Sequence, residues 1–302
     1  MVDRKRLSEE VKSQPFLQWQ GGKRALIGQL SGLLPKDLSE QKEFCYFEPF
    51  VGGGAMLFYM LNTFPNIGQV LVGDTNEDLI DAYTCVRDYP TVLISKLADM
   101  EKYLERQNSI DYKRAYYYDI RDRYNKRDSN IVTQTAYLLY LSKFGFNSLY
   151  RVNANGMFNV SFNTYKSKTS NTIQAPEVIM ACSKALQKVI FYNDDFSEVG
   201  NYVGGDEYKF VYLDPPYLTD GAKAPRQYSN VPFTFGEHRR LKAFIDTLHV
   251  QNCKVMCSNS DLPEIRELYH NYGFSKVKAV RNTSPKAENK NTQVEELVIT
   301  NY

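Results

Sequence analysis

The stretch Tyr208-Lys209-Phe210-Val211-Tyr212-Leu213-Asp214-Pro215-Pro216-Tyr217 decides the fold. Its first six residues form an apolar run that reads as a buried strand. Asp-Pro-Pro-Tyr follows at once, so a carboxylate, two rigid prolines and an aromatic ring stand at the strand's carboxyl end. In open α/β sheets that edge is where ligands bind. Consecutive prolines fix φ and donate no N–H, so the turn is stiff before any ligand arrives. The group suits a flat, amine-bearing base. Asp214 can accept a hydrogen bond from an NH₂ group, the Pro215 carbonyl can accept a second, and the Tyr217 ring can stack. Asp-Pro often only initiates a turn. The doubled proline and the tyrosine directly after a buried strand favour the catalytic reading of Asp214, Pro215, Pro216 and Tyr217.

Working outward, Phe44 to Phe47 reads as a short strand and Glu48-Pro49-Phe50-Val51-Gly52-Gly53-Gly54 as a loop. Ala55 to Leu61 opens a helix, Gln69 to Val72 is strand-like and ends at Asp74, and Glu77 to Arg87 is helical. This succession of strand, glycine loop, helix, strand and acid is that of a cofactor-binding βαβ unit. Three glycines let the backbone approach a ligand and leave N–H groups at a helix start. The loop lacks a P-loop lysine and the GxGxxG spacing, so by itself it is a weak signal. Asp74 stands where dinucleotide folds place the acid that bonds ribose hydroxyls; a helix cap from Asp74 or Asn76 is the plain alternative. Lys23 to Leu34 is predicted to be one helix. Strands are also expected at Val189–Tyr192, Phe210–Leu213, Cys253–Met256 and Glu295–Ile299, with a helix near His238 to His249.

The pattern changes at Pro90. From there to about Lys143 the chain is helical, charged and tyrosine-rich, and Phe144 to Asn171 is rich in Gly, Asn and Ser. We therefore expect an α/β core, residues 1–89 and 172–302, split by an insertion at 90–171. The 302 residues suffice for such a core, and 43% hydrophobic content argues against global disorder. A net charge of +2 neither demands nor excludes nucleic acid. Five cysteines lack a CxxC pair and there are three histidines, which argues against structural zinc and for buried thiols in a reducing cytosol. No metal is expected. No run approaches a membrane span and the first residues lack an apolar signal core, so a cytoplasmic protein is expected.

Two more clusters carry chemistry. Trp19, the only tryptophan, stands beside Gly21-Gly22 and Lys23; a core anchor and a solvated lysine are the plain readings. The segment Lys143 to Lys168 holds Phe146, Asn147, Leu149, Arg151, Asn153 and Asn159, then Tyr165, Lys166 and Lys168. Asparagine and arginine read base edges, lysines suit phosphates, and aromatics wedge where a base leaves the helix. A polar hairpin with a half-buried aromatic face fits the composition equally.

Taken in order, these clusters resemble the Dam-type DNA adenine-N6 methyltransferases (the D12 class, alpha group). The match runs through Trp19-x-Gly-Gly-Lys23, Glu48 to Gly54, Asp74, Arg151-Val-Asn to Asn159-Val160, Asp195-Phe196, Asp214 to Tyr217, Ser258-Asn259-Ser260 and Leu297 to Tyr302. It spans nearly the whole chain. It implies a Rossmann-like S-adenosylmethionine-dependent methyltransferase fold with an inserted, mainly helical target-recognition domain. It implies S-adenosyl-L-methionine as cofactor, with Trp19 and Lys23 helping to bind it. The Glu48, Pro49, Phe50, Gly52, Gly53 and Gly54 loop would lie around its methionine moiety. Asp74 would hold its ribose and Asp195 and Phe196 its adenine, with Asp214 adjoining. It implies double-stranded DNA as substrate, commonly at GATC, read by Gln18, Phe146, Asn147, Leu149, Arg151, Asn153 and Asn159, with the target adenine flipped out onto Tyr217. A cognate restriction endonuclease as partner is compatible with it. The family usually has lysine where this chain has Gln18, whose paired donor and acceptor favour adenine over guanine. Its Asn-Val-Pro-Phe is Asn159-Val160-Ser161-Phe162 here, and after Tyr217 only Tyr228 loosely answers its usual tyrosine.

Overall fold

The computed structural model describes residues 11–19, 21–106, 109–164, 170–219, 233–281 and 292–302. Tyr165, Lys166, Lys168, Tyr228 and the first ten residues lie outside them. A seven-stranded sheet runs through the described part in the order β3-β2-β1-β4-β5-β7-β6. The strands are β1 (Phe44–Glu48), β2 (Ile67–Gly73), β3 (Val189–Tyr192), β4 (Tyr208–Leu213), β5 (Lys254–Ser260), β6 (Gly273–Arg281) and β7 (Thr292–Thr300). The first five are mutually parallel, and β7 runs antiparallel between β5 and β6.

The central strands read as continuous apolar runs because both faces of the sheet are covered. Successive side chains point to opposite faces. Phe44, Tyr46, Val70, Val72, Phe210, Tyr212 and Val298 fill one core. Phe47, Leu71, Val211, Leu213, Val255, Leu297 and Ile299 fill the other. The first is roofed by α2 (Ala55–Thr63), α3 (Glu77–Asp88) and α7 (Pro176–Leu186), the second by α8 (Phe235–Val250) and α9 (Pro263–Leu268).

The stretch after Pro90 forms α4 (Pro90–Arg106), α5 (Ile110–Lys126) and α6 (Ile131–Phe144). These helices do not build a core of their own. Leu93, Leu97, Tyr117, Ile120, Leu138 and Leu139 belong to the same buried cluster as Phe44 and Tyr46. α6 is buried almost all round, from Thr135 to Phe144, as a helix enclosed by neighbours must be. Beyond it the chain folds back as a loose hairpin, with antiparallel bridges Gly145↔Phe162 and Val152↔Phe158.

One expectation is corrected, and one strand is added. Lys23 to Leu34 is not one helix: a 3₁₀ turn (Arg24–Leu26), a single helical turn α1 (Ile27–Leu30) and a second 3₁₀ turn (Ser31–Leu33) succeed one another. Gly28 and Gly32 lie within it, and glycine costs a helix interior about 1 kcal/mol each. The strand β6 was not anticipated. It lies at the sheet's edge, where Lys276 and Lys278 alternate with buried Val277 and Ala279; such charge guards an edge against further pairing and masks the strand's apolar face.

Candidate active site

β1 and β4 are neighbours, and from them the chain order runs outward in opposite directions. Their carboxyl ends are therefore the topological switch point of the sheet. β1 delivers Glu48 and the glycine loop there, and β4 delivers Asp214 to Tyr217. Sequence motifs more than 150 residues apart thus stand side by side.

The glycine loop is held from three sides. Gly52 and Gly54 adopt φ of +47° and +72°, a left-handed conformation that other residues resist. A Cβ on Gly54 would also collide with the Tyr83 hydroxyl, which donates to the Gly52 carbonyl at 2.9 Å. Asp74, just beyond β2, accepts from Gly52 N at 3.2 Å and from Asn76 N at 3.0 Å. The cap of α3 is Asn76, whose side chain accepts from Leu79 N at 3.2 Å. Asp74 is therefore a tether for the loop. Burial pushes its carboxyl up to about 6, against these N–H groups, which lower it. Trp19 lies over the loop: a Cβ on Gly53 would stand 3.2 Å from the Trp19 Cβ. Buried Phe16 and Leu17 anchor the segment before it, and Gln174 Nε2 donates to the Phe16 carbonyl at 2.6 Å.

Asp214 faces Lys23, whose Nζ is 3.0 Å from Asp214 Oδ1 and 3.9 Å from Glu296 Oε2. The same ammonium lies 4.6 Å from the centroid of the Tyr217 ring. Tyr217 OH donates to Glu296 Oε2 at 2.9 Å, which fixes the ring's orientation. Burial raises the Asp214 carboxyl, and Lys23 pulls it back. Glu48, 2% exposed, is raised further by burial, opposed by the Tyr46 hydroxyl at 2.7 Å. Behind the loop, Ser260 Oγ donates to the Leu218 carbonyl at 2.8 Å, and buried Asn259 is 3.3 Å from His238 Nδ1. The Ser258-Asn259-Ser260 end of β5 thus props the turn that follows Tyr217.

Glu296 is the site residue that the sequence reading missed. Its β7 position pairs with Ser260 of β5. No local signal marks it, since β7 reads Thr-Gln-Val-Glu-Glu-Leu-Val-Ile-Thr and carries a second carboxylate, Glu295, beside it.

Asp195 caps the 3₁₀ turn Phe196–Asn201 and is gripped by Arg240 through two 2.7 Å bonds. That guanidinium holds its carboxyl down at about 2. Phe196 is buried against Phe50, with ring centroids 5.5 Å apart.

The hairpin residues divide by role. Arg151 is exposed and oriented by Asn159, with Nε 2.7 Å from Asn159 Oδ1. Phe146 is 51% exposed and Asn147 exposed with φ +54°; Gln18 is exposed as well. Leu149 is partly buried on the core. Asn153 folds the hairpin's tip, its Oδ1 accepting from Asn155 N and Met157 N at 3.0 Å each. Phe158 is buried and clamped by Asn125 of α5 through two bonds to its backbone. The hairpin buries Phe158 and leaves Phe146, Asn147 and Arg151 exposed. Among the described residues no group of His, Cys, Asp and Glu is arranged to hold a metal, and no helix is long and apolar enough to cross a membrane.

Comparison with known proteins gives the family. The model of the D12 class N6 adenine-specific DNA methyltransferases matches residues 19–283. The chain is 35% identical to the type II methyltransferase M.MjaIII of Methanocaldococcus jannaschii, over 97% of this chain and 100% of that one. It is 31% identical to the type II methyltransferase M1.LlaDCHI of Lactococcus lactis subsp. cremoris, over 97% of each. It is 30% identical to the DNA adenine methylase of Escherichia coli, over 90% of each. A Rossmann-like sheet with an antiparallel seventh strand, the paired motifs at its switch point and these relatives lead to one conclusion: the chain is an adenine-specific DNA methyltransferase and belongs to the D12 class.

Proposed function

We propose that the protein transfers a methyl group from S-adenosyl-L-methionine to N6 of an adenine flipped out of duplex DNA, at GATC or a related short site. The observation that carries this reading is the excess of carboxylate at the switch point. Asp214 lies beside Glu48 and Glu296, Lys23 stands against Asp214 and Glu296, and Asp74 holds the adjoining glycine loop. Burial raises three of these carboxyls, so a cation is the ligand such a site favours. The cofactor suits it, with one ammonium and one sulfonium, and when bound it supplies an electrophilic methyl group.

The chain's own residues would do the rest. The glycine loop, with Trp19 over it, would receive the methionine moiety. Asp74 would accept from the ribose hydroxyls, and anionic Asp195 from the cofactor's adenine amine. Phe50 and Phe196 would form the apolar wall beside it. Asp214 and the Pro215 carbonyl would accept both N6 hydrogens of the target adenine. That draws the nitrogen toward tetrahedral geometry and frees a lone pair otherwise delocalised into the ring. Placement and electrostatics supply the catalysis, and the Asp214 carboxylate stabilises the positive charge that grows on nitrogen. Pro216 stiffens the turn, and Tyr217, held by Glu296, stacks on the base. Arg151, oriented by Asn159, would read a guanine edge. Phe146 and Leu149 would support the strands from which the adenine leaves, Asn153 would shape the hairpin's tip, and Asn147 and Gln18 would approach the flanking bases. The segments 1–89 and 172–302 would form the catalytic unit and 90–171 the target reader.

The test is Asp214→Ala. Methyl transfer to a GATC duplex should fall by about 10³-fold or more, since both an acceptor and a charge are lost, while duplex binding persists. Turnover near that of the unaltered protein would refute the assignment.

A further inference from the structure

We propose that Tyr150 is a positioning residue that joins the DNA-reading hairpin to the cofactor loop, so that filling one site raises affinity at the other. The inference rests on the functional reading above and gives a role to a residue that had none in it.

The Tyr150 ring faces Trp19, with centroids 4.9 Å apart and planes inclined by 31°. Trp19 in turn lies on the glycine loop: a Cβ on Gly52 would stand 3.4 Å from its Cδ1 and one on Gly53 3.2 Å from its Cβ. One aromatic pair thus bridges loop and hairpin. Each member stands next to a residue proposed to read DNA, Gln18 before Trp19 and Arg151 after Tyr150.

The other end of Tyr150 is fastened as firmly. Its hydroxyl donates to Asp78 Oδ2 at 2.6 Å. Asp78 lies in the first turn of α3, whose N-terminus follows Asp74. The same carboxylate receives Tyr124 OH and both Nη atoms of Arg127, at the end of α5. The Tyr150 ring also meets Phe158 on the returning arm of the hairpin, at 5.8 Å and 61°. With 8% of its surface exposed, Tyr150 has no alternative place without breaking the ring pair or the Asp78 bond.

Tyr150, next to Arg151, is therefore tied by one contact to Trp19 over the glycine loop and by another to the first turn of α3, just after Asp74. A ligand that orders Gly52 to Gly54 limits where Trp19 can lie, and through Tyr150 limits Arg151. Ordering paid for by the first ligand need not be repeated for the second. Such coupling is reciprocal: DNA must tighten the cofactor by the same factor as the cofactor tightens DNA.

The experiment measures that factor. A fluorescein-labelled duplex bearing GATC is titrated by anisotropy with and without saturating S-adenosylhomocysteine, and S-adenosylhomocysteine is titrated by calorimetry with and without duplex. The unaltered protein should give the same factor both ways, on the order of 10-fold. Tyr150→Leu, which removes ring and hydroxyl, should bring it close to one, while S-adenosylhomocysteine still binds the protein alone. Tyr150→Phe keeps the ring and loses only the hydroxyl, so it guards against misfolding and should give an intermediate factor. Because Trp19 is the only tryptophan, its emission is a second readout. Adding S-adenosylhomocysteine should shift it in all three proteins, and adding duplex to the protein without it should shift it in the unaltered protein but less in Tyr150→Leu. A factor of one in the unaltered protein, or the same factor in Tyr150→Leu, would overturn the proposal. Failure of the unaltered protein to bind S-adenosylhomocysteine at all would overturn the functional reading beneath it.

Discussion

Replacing Lys23 by Met keeps the length of the side chain and removes its charge. Lys23 is the cation beside Asp214, at 3.0 Å, with the two side chains 10% and 18% exposed. At an effective dielectric of about 20, two unit charges at this separation attract with a gross ~5.5 kcal/mol, most of which desolvation cancels. Removing one member of a fully buried pair costs about 3–5 kcal/mol, so this slightly open pair should cost ~2–3 kcal/mol. Since one unit of pKa is ~1.4 kcal/mol, the Asp214 carboxyl should rise by about 1.5–2 units. Burial already raises that carboxyl and Lys23 lowers it, so the direction is unambiguous. A protonated Asp214 can no longer accept two-sidedly from an amine. With cofactor saturating, kcat/KM for methyl transfer should show an acid limb moved upward by ~1.5–2 pH units, with the loss recovered as pH rises past that limb. Stability should move the opposite way. A carboxyl whose folded pKa is raised favours the native state below its unfolded pKa and loses that contribution as pH rises through the folded one. The variant should therefore melt lower as it becomes more active. A loss uniform across pH, with the acid limb where it stands in the unaltered protein, would refute this reasoning.

Asn159→Ala leaves Arg151 in place but removes the acceptor at 2.7 Å from its Nε. Discrimination at one guanine should weaken, by less than the ~1–3 kcal/mol expected for Arg151→Ala; equal rates on all single-base variants of the duplex relative to the unaltered protein would exclude both residues as readers. Binding of S-adenosylhomocysteine should weaken as pH falls through about 6, because the Asp74 carboxyl, raised to about 6 by burial, must be ionised to accept from two hydroxyls. Calorimetry at about pH 5 should show roughly tenfold lower affinity than at about pH 7.5; affinity flat across that range would remove Asp74 from the ribose contact.

Much of the site was legible because its chemistry is local. A strand ending in Asp-Pro-Pro-Tyr, and another ending in a run of glycines, state their backbone requirements in adjacent residues. Asp74 was legible by spacing, although its role as tether of Gly52 was not, because that bond crosses 22 residues. Glu296 was hidden for a different reason. A carboxylate in a strand has no local signature, and only the pairing of β7 with β5 brings it to Tyr217. Asp195 was legible as a motif, but its pairing with Arg240 depends on α8 packing against the same face. The interrupted segment after Lys23 was legible in principle, since Gly28 and Gly32 weaken a helix, but Gly21-Gly22 before it and Pro35 after it bound the stretch as one helix would be bounded.

The sequence by itself determined the chemistry class and the order of parts, because hydrophobic period, proline stiffness and glycine freedom act over a few residues. Tertiary structure decided which charges meet. Lys23, Asp214, Tyr217 and Glu296 come from three separate segments; Trp19 shares the segment of Lys23, and Tyr150 and Asp78 come from two more. Electrostatic tuning and aromatic stacking fall off within a few ångströms, so they exist only once the sheet's switch point has drawn those segments together.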